Sequence, residues 1–144
     1  SSGASFPFTM LRGKHVLITN VASLCGRTES HYRGLVDLSR RWGGGGDLVV
    51  MAFPCDQFGN QEPGDDGEIE AFARGTFGAD FLIMAKSEVN GPGTGEVYRW
   101  LRRQTGVGDV AWNFDTYFLV DASGTPTAHT GVSPEFFNRY FEEL

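Results

Sequence analysis

The stretch His15-Val16-Leu17-Ile18-Thr19-Asn20-Val21, followed at once by Ala22-Ser23-Leu24-Cys25-Gly26, decides how the rest of the chain is read. Its first part is a short β-branched, apolar run that ends in a cluster of small residues, the pattern of a buried strand running into a turn. A helix is expected over residues 29–42, where Tyr32, Leu35, Val36, Leu38 and Trp42 make an apolar stripe that Gly43 to Gly46 stop. Cys25 therefore sits on a strand-to-helix turn.

Downstream, residues 48–53 read as a second strand and 54–64 as a loop dense in turn residues. The acidic start Asp65-Asp66-Gly67-Glu68 then leads into a helix carrying Ile69 to Ala73. A third strand is expected over 81–85, and after Asn90-Gly91-Pro92-Gly93 a helix carries Val97, Trp100 and Leu101. Residues 117–121 and 125–130 flank Ser123-Gly124 as a hairpin. Ser133-Pro134 opens the last helix, with Ser as its cap and Pro in its first turn. The order βαβαβαββα shows no repeat and no linker, so residues 1–144 are expected to form a single domain. Early alternation implies parallel pairing through crossovers, and the late hairpin adds an antiparallel pair. The fold class is α/β, the thioredoxin-like fold with a mixed central sheet flanked by helices.

The 144 residues are enough to bury a core without disulfide staples. With 18 Asp and Glu against 12 Lys and Arg and no basic stripe, nucleic acid is not an expected partner. No run approaches the roughly 20 apolar residues that span a bilayer, so a soluble protein is expected. The opening Ser1-Ser2-Gly3, without Met, reads as a processed terminus or an expression scar. The 2 cysteines, Cys25 and Cys55, form no CxxC pair, and the 3 histidines, His15, His31 and His129, are scattered. That argues against structural zinc and a disulfide scaffold, so no metal and no bound cofactor are expected. Sparse cysteines fit a reducing, intracellular compartment, cytosol or mitochondrion, and the question becomes whether one of them is reactive.

A thiolate, not a thiol, attacks an O–O bond, so a cysteine doing this needs solvent access and an environment that favours the anion. A turn leading toward a helix N-terminus is a usual source of that environment. Taken singly, a cysteine after a strand reads as a small buried hydrophobe, Trp112 as a core aromatic, Gln61 as a loop-tip amide and Asn113 as a turn former. Three blocks occur together, however: Asn20-Val21-Ala22-Ser23-Leu24-Cys25-Gly26, Phe53-Pro54-Cys55-Asp56-Gln57-Phe58-Gly59-Asn60-Gln61-Glu62-Pro63-Gly64, and Trp112-Asn113-Phe114. In order and spacing they resemble the signature blocks of glutathione peroxidases. Val89-Asn90-Gly91 and Phe118-Leu119-Val120-Asp121 are similar to further family segments, so the resemblance covers residues 13–144.

That resemblance implies a thiol-dependent peroxidase acting on hydrogen peroxide and organic or lipid hydroperoxides. It maps the family's catalytic quartet onto Cys25, Gln61, Trp112 and Asn113. The amides and the indole N–H are neutral donors able to stabilise a thiolate and a developing alkoxide. Cys55 falls in a block whose Cys is not generally the attacking residue and reads as structural. His31 and His129 read as surface or satisfied core residues without a base's partner.

Several positions depart from the family. Many cysteine-type relatives hold a resolving cysteine near Glu70-Ala71-Phe72-Ala73-Arg74; here there is Ala73 and no Cys. The Cys25 sulfenic acid is therefore expected to be resolved by an external thiol, glutathione or a thioredoxin-type protein, with Cys55 the remaining internal candidate. The short segment between Trp100 and Trp112 is similar to that of monomeric phospholipid-hydroperoxide relatives, which implies a monomer with an exposed site. The family's opening β-hairpin, ahead of Gly13-Lys14, has too little chain to be complete. The segment Thr-Pro-Thr-Ala-His-Thr-Gly-Val-Ser (125–133) lacks the Lys and Arg that favour anionic glutathione or lipid head groups. In the last helix Phe137, Phe141 and Leu144 are expected in the core, which leaves an aromatic edge of Phe136 and Tyr140. That edge supports a rival reading, a peroxidase-fold structural or redox-signalling subunit of a larger assembly with little or no catalysis. Other thiol folds fit less well: a thioredoxin needs CxxC, and a peroxiredoxin a Thr where this chain has Ala22-Ser23-Leu24.

Overall fold

β1 (His15–Val21) is the centre of a five-stranded sheet. The computed structural model describes residues 11–144, so the expectation of an incomplete hairpin ahead of Gly13 falls on residues outside those described. β2 (Leu48–Pro54) pairs with β1 in parallel and β4 (Thr116–Val120) pairs with it antiparallel. β3 (Leu82–Ile83) and β5 (Pro126–Thr130) form the edges, giving the order β3-β2-β1-β4-β5. Ile18 stands opposite Met51 on one side and Phe118 on the other. The mixed α/β sheet expected from the strand and helix alternation is the one observed.

Both faces of this sheet are covered, which explains why its central strands read as continuous apolar runs rather than alternating ones. Leu17, Val21, Val50, Ala52, Tyr117 and Leu119 join one apolar cluster. It is closed by Tyr32 and Leu35 of α1 (Thr28–Trp42), by Ile69 and Ala73 of α2 (Asp66–Phe77), and by Phe137 and Phe141 near the C-terminus. Val16, Ile18, Met51, Phe53 and Phe118 point the other way into a second cluster, closed by Tyr98 and Leu101 of α3 (Glu96–Thr105). Leu17 is wholly buried at the middle of this arrangement. Leu17→Ala is expected to cost about 3 kcal/mol, measured by urea denaturation; a loss below about 1 kcal/mol would show that the site collapses around the deletion.

Three local expectations are corrected. The third strand is only Leu82–Ile83 rather than 81–85. The Met84 N–H still reaches the Ala52 carbonyl, but the Lys86 N–H turns away from the sheet to the Asp66 carboxylate (2.8 Å). Ser133 makes no side-chain cap: a 3-10 turn, Pro134–Phe137, comes first and closes on the Ser133 carbonyl, and α4 is only Asn138–Glu142. Leu144 is 71% exposed rather than part of the core, because α4 ends before it. Phe137 and Phe141 are buried and Phe136 exposed, as expected. The 3-10 turn lies so close to α1 that a Cβ at Gly34 would come within 2.9 Å of the Pro134 side chain, so glycine is required there.

Candidate active site

Cys25 lies in the turn between β1 and α1, at the sheet end where β2 also finishes. Thr28, the first residue of α1, braces this turn. Its hydroxyl accepts the Cys25 N–H (3.0 Å) and donates to the Ala22 carbonyl (2.7 Å), while its own N–H reaches the Cys25 carbonyl (3.0 Å). The Arg27 N–H points at Cys25 Sγ at 3.4 Å, so the sulfur faces a main-chain donor at the helix start, where negative charge is favoured. Cys25 is 9% exposed, beside Leu24, which stands open to solvent.

The loop that follows β2 brings Gln61 to this turn, and the Leu24 N–H donates to the Gln61 carbonyl at 3.0 Å. Gly59 and Asn60 both adopt left-handed backbone, with φ 67° and 52°. A Cβ at Gly59 would sit 3.1 Å from the Trp112 ring and 3.5 Å from the Gln61 side chain. The loop therefore needs glycine there for conformation and for space.

Ahead of β4, Asn113 Nδ2 donates to Gln61 Oε1 (3.0 Å) and, at 3.4 Å, to the Phe58 carbonyl. With the Gln61 oxygen committed to Asn113, the N–H donors of the Gln61 amide are the ones left for a reacting group. Phe114 next in the chain is fully buried yet has φ 58°, a strained conformation for a bulky residue, held by its N–H on the Asn20 carbonyl (2.9 Å). The Asn20 side chain in turn donates to the Trp112 carbonyl (3.2 Å), tying the end of β1 to the Trp112-Asn113 turn. The Trp112 ring packs on Phe58 and borders both apolar clusters.

The structure thus gathers Cys25, Gln61, Trp112 and Asn113 around the end of β1. Gln61 and Asn113 are bonded to each other, and Gln61 to the Cys25 turn. Among the described residues, no side chain of Gln61, Trp112 or Asn113 hydrogen-bonds Cys25 Sγ. Asn113 Nδ2 meets Gln61 Oε1 and the Phe58 carbonyl rather than the sulfur. A cleft of about 810 Å³ lies elsewhere, at the far end of the sheet between Lys14, Val97, Trp100 and Asp121, and borders none of the four.

Cys55 belongs to the cluster on the opposite face of the sheet from Cys25. It is 1% exposed, its Sγ donates to Gln57 Oε1, and burial pushes its thiol pKa up. His31 is a satisfied core residue, one of the two alternatives expected for it. It is buried and shares a 2.7 Å hydrogen bond with the Tyr117 hydroxyl, while burial first and Arg27 second hold its pKa below the usual value.

Sequence reasoning passed over Thr28, Asn20 and Glu62. Glu62 is wholly buried, its carboxylate accepting from both the N–H and the hydroxyl of Ser23. Burial pushes the Glu62 carboxyl above its ordinary 4.5; the Ser23 bonds and Lys86 oppose this and Asp56 adds to it. The folded state then holds this proton to higher pH than the unfolded chain. The corresponding stability is complete below the unfolded value and is lost as pH rises through the folded one. Wild type should therefore gain stability relative to Glu62→Gln as pH falls through the mildly acidic range, measured by urea denaturation; a pH-independent difference would contradict the shift.

Residues 1–102 match the family model for glutathione peroxidase. The chain belongs to the glutathione peroxidase family. It is 47% identical over 130 residues to the glutathione peroxidase-like peroxiredoxin GPX5 of Chlamydomonas reinhardtii, covering 88% of this chain and 78% of that one. It is 49% identical over 116 residues to the chloroplastic phospholipid hydroperoxide glutathione peroxidase of Pisum sativum, covering 78% of this chain and 48% of that one. Among solved structures, T. cruzi GPX1 superposes with a TM-score of 0.75 at 31% identity, covering 100% of this chain and 90% of the other. A thioredoxin-family thiol:disulfide interchange protein from Chlorobium tepidum superposes with a TM-score of 0.66 at 18% identity, which shows the shared thioredoxin-like fold alone. The family resemblance and the fold expected from the sequence are both borne out.

Proposed function

We propose that this glutathione peroxidase family member reduces hydroperoxides through Cys25 and is restored by an external thiol. Membership of the family makes the chain a thiol-dependent peroxidase, an oxidoreductase acting on peroxide. The observation that carries the residue assignment is the Gln61–Asn113 amide pair, fastened to the Cys25 turn through the Leu24 N–H.

In the proposed reaction the Cys25 thiolate sulfur takes the terminal oxygen of the hydroperoxide and the O–O bond breaks. The remaining oxygen leaves as an alkoxide or hydroxide and takes up a proton to give an alcohol or water. Gln61 and Trp112 supply N–H groups toward the charge that moves from sulfur to oxygen, and Asn113 keeps the Gln61 amide in the orientation that does so. The Cys25 sulfenic acid then condenses with a thiol, releasing water and forming a mixed disulfide. A second thiol attacks the outer sulfur, returning the Cys25 thiol and releasing a disulfide.

The placement of the two cysteines on opposite faces of the sheet supports resolution from outside. Glutathione and a thioredoxin-type protein are the proposed reductants, in a reducing compartment, with the enzyme acting as a monomer. The test is mass spectrometry of protein oxidised by one equivalent of hydrogen peroxide in the presence of glutathione. A glutathione adduct on Cys25 with no Cys25–Cys55 disulfide is expected; an intramolecular disulfide in good yield would overturn external resolution.

A further inference from the structure

The Glu62 carboxylate has no part in the proposed chemistry, yet it is buried beside the site. A carboxylate removed from water is costly unless its hydrogen bonds replace the lost solvation. Here Oε1 accepts both the N–H (3.0 Å) and the hydroxyl of Ser23, while Oε2 is buried with no hydrogen-bond partner among the described residues, so the cost is offset only in part. Ser23 is two residues before Cys25, and Glu62 is one residue after Gln61. The next rung of the same link is the Leu24 N–H on the Gln61 carbonyl (3.0 Å). Two consecutive residues of the loop thus grip two consecutive residues of the turn.

The backbone of Glu62 is fixed from the other side as well. Its N–H donates to Asp56 Oδ1 (2.9 Å), and its carbonyl accepts from Lys86 Nζ (3.1 Å), which also holds the Gly64 carbonyl (2.7 Å). Glu62 is where the start of the loop, the segment after β3 and the Cys25 turn converge. We propose that Glu62 is a positioning residue of the peroxidase reaction, its bond to Ser23 setting where the Gln61 amide stands relative to the Cys25 sulfur. The inference rests on Cys25 as the attacking residue and Gln61 as a donor to the reacting atoms.

The physical reason is the steepness of such geometry. A displacement of about 1 Å in a reacting constellation costs about 100-fold in rate. Removing the carboxylate leaves the Ser23 N–H without its partner and reduces the link between loop and turn to the single Leu24–Gln61 main-chain bond, so a displacement smaller than about 1 Å is enough to be felt in the rate.

The test is a double-mutant cycle on the second-order rate constant for oxidation of the reduced protein by hydrogen peroxide. Glu62→Ala is expected to slow oxidation by about 100-fold while leaving the return of Cys25 by excess thiol within about threefold. On a Gln61→Ala background the same substitution should cost nothing further, since there is no amide left to misplace. Glu62→Gln, whose amide oxygen can still accept from Ser23, should recover oxidation to within about tenfold of wild type.

Full additivity of Glu62→Ala with Gln61→Ala would overturn the proposal. So would an unchanged oxidation rate in Glu62→Ala, or a loss in Glu62→Gln as large as in Glu62→Ala. If Glu62→Ala does not fold, Ser23→Ala reads the same cycle from the other partner. Its oxidation rate is expected to drop about tenfold, and the effect should vanish on the Gln61→Ala background; an unchanged rate or an additive loss there would overturn the proposal equally. Cys25→Ser separates the two readings. A fully active Cys25→Ser ends the Cys25 assignment itself, whereas an inactive one beside additive Glu62 and Gln61 effects removes only the role of Glu62.

Discussion

Cys25→Ser is expected to lower hydroperoxide consumption by about 10⁴-fold or more with glutathione or thioredoxin as reductant, as loss of a nucleophile does in enzymes that depend on one. A hydroxyl is a far weaker nucleophile at neutral pH than a thiolate, and it does not pass through a sulfenic acid that a thiol can resolve. The substitution is nearly isosteric, and the turn is held by Thr28 and by main-chain bonds rather than by the sulfur. Folding should survive, which a melting curve within a few degrees of wild type would check. Equal rates in the two proteins would end the assignment of the reaction to Cys25 and favour the alternative of a peroxidase-fold subunit without catalysis.

Gln61→Ala is expected to cost about 10²- to 10³-fold in the rate of Cys25 oxidation, the loss typical of one preorganised donor to a developing oxyanion. The effect should fall on oxidation by peroxide and leave the reaction of the sulfenic acid with thiol much less changed. Asn113→Ala should reproduce most of this loss, because its Nδ2 is what holds the Gln61 oxygen at 3.0 Å and thereby directs the amide N–H groups. Stopped-flow measurement of the oxidation step under excess peroxide checks both. A Gln61→Ala enzyme that oxidises at the wild-type rate would show that the amide pair is a feature of the loop and not of the chemistry.

Much of this was legible from residue pattern because the central strands are apolar without a break. β1 and β2 are sandwiched between helices, so their burial can be read directly from composition, and the small-residue turn after Val21 placed Cys25 where it is found. The edges were less legible. The length of β3 depends on the Asp66 carboxylate capturing the Lys86 N–H, a contact across 20 residues that no local propensity encodes. The start of the last helix depends on Pro134 docking against Gly34, which no hydrophobic period reveals.

Within the site, residue types pointed to the right cluster but not to who bonds whom. Asn113 is a donor in either reading, and only the fold shows that its hydrogens go to Gln61 and Phe58. Glu62 was least legible of all. Nothing in a turn-rich loop marks the glutamate between Gln61 and Pro63 for burial, which follows from the Ser23 N–H and hydroxyl waiting on a segment 39 residues away.

The position of the two cysteines on opposite faces of the sheet has a consequence for how such an enzyme fails. Under the proposed resolution by an external thiol, an oxidised Cys25 would persist until a thiol molecule collides with it, and its lifetime would be inversely proportional to thiol concentration. During that wait a second peroxide can carry the sulfur on to sulfinic acid, from which thiols do not recover it. The fraction of turnovers ending in permanent inactivation then follows the ratio of peroxide to thiol in the surroundings. A protein built this way would stop working when its reductant runs low, reporting the exhaustion of the thiol pool by its own inactivation.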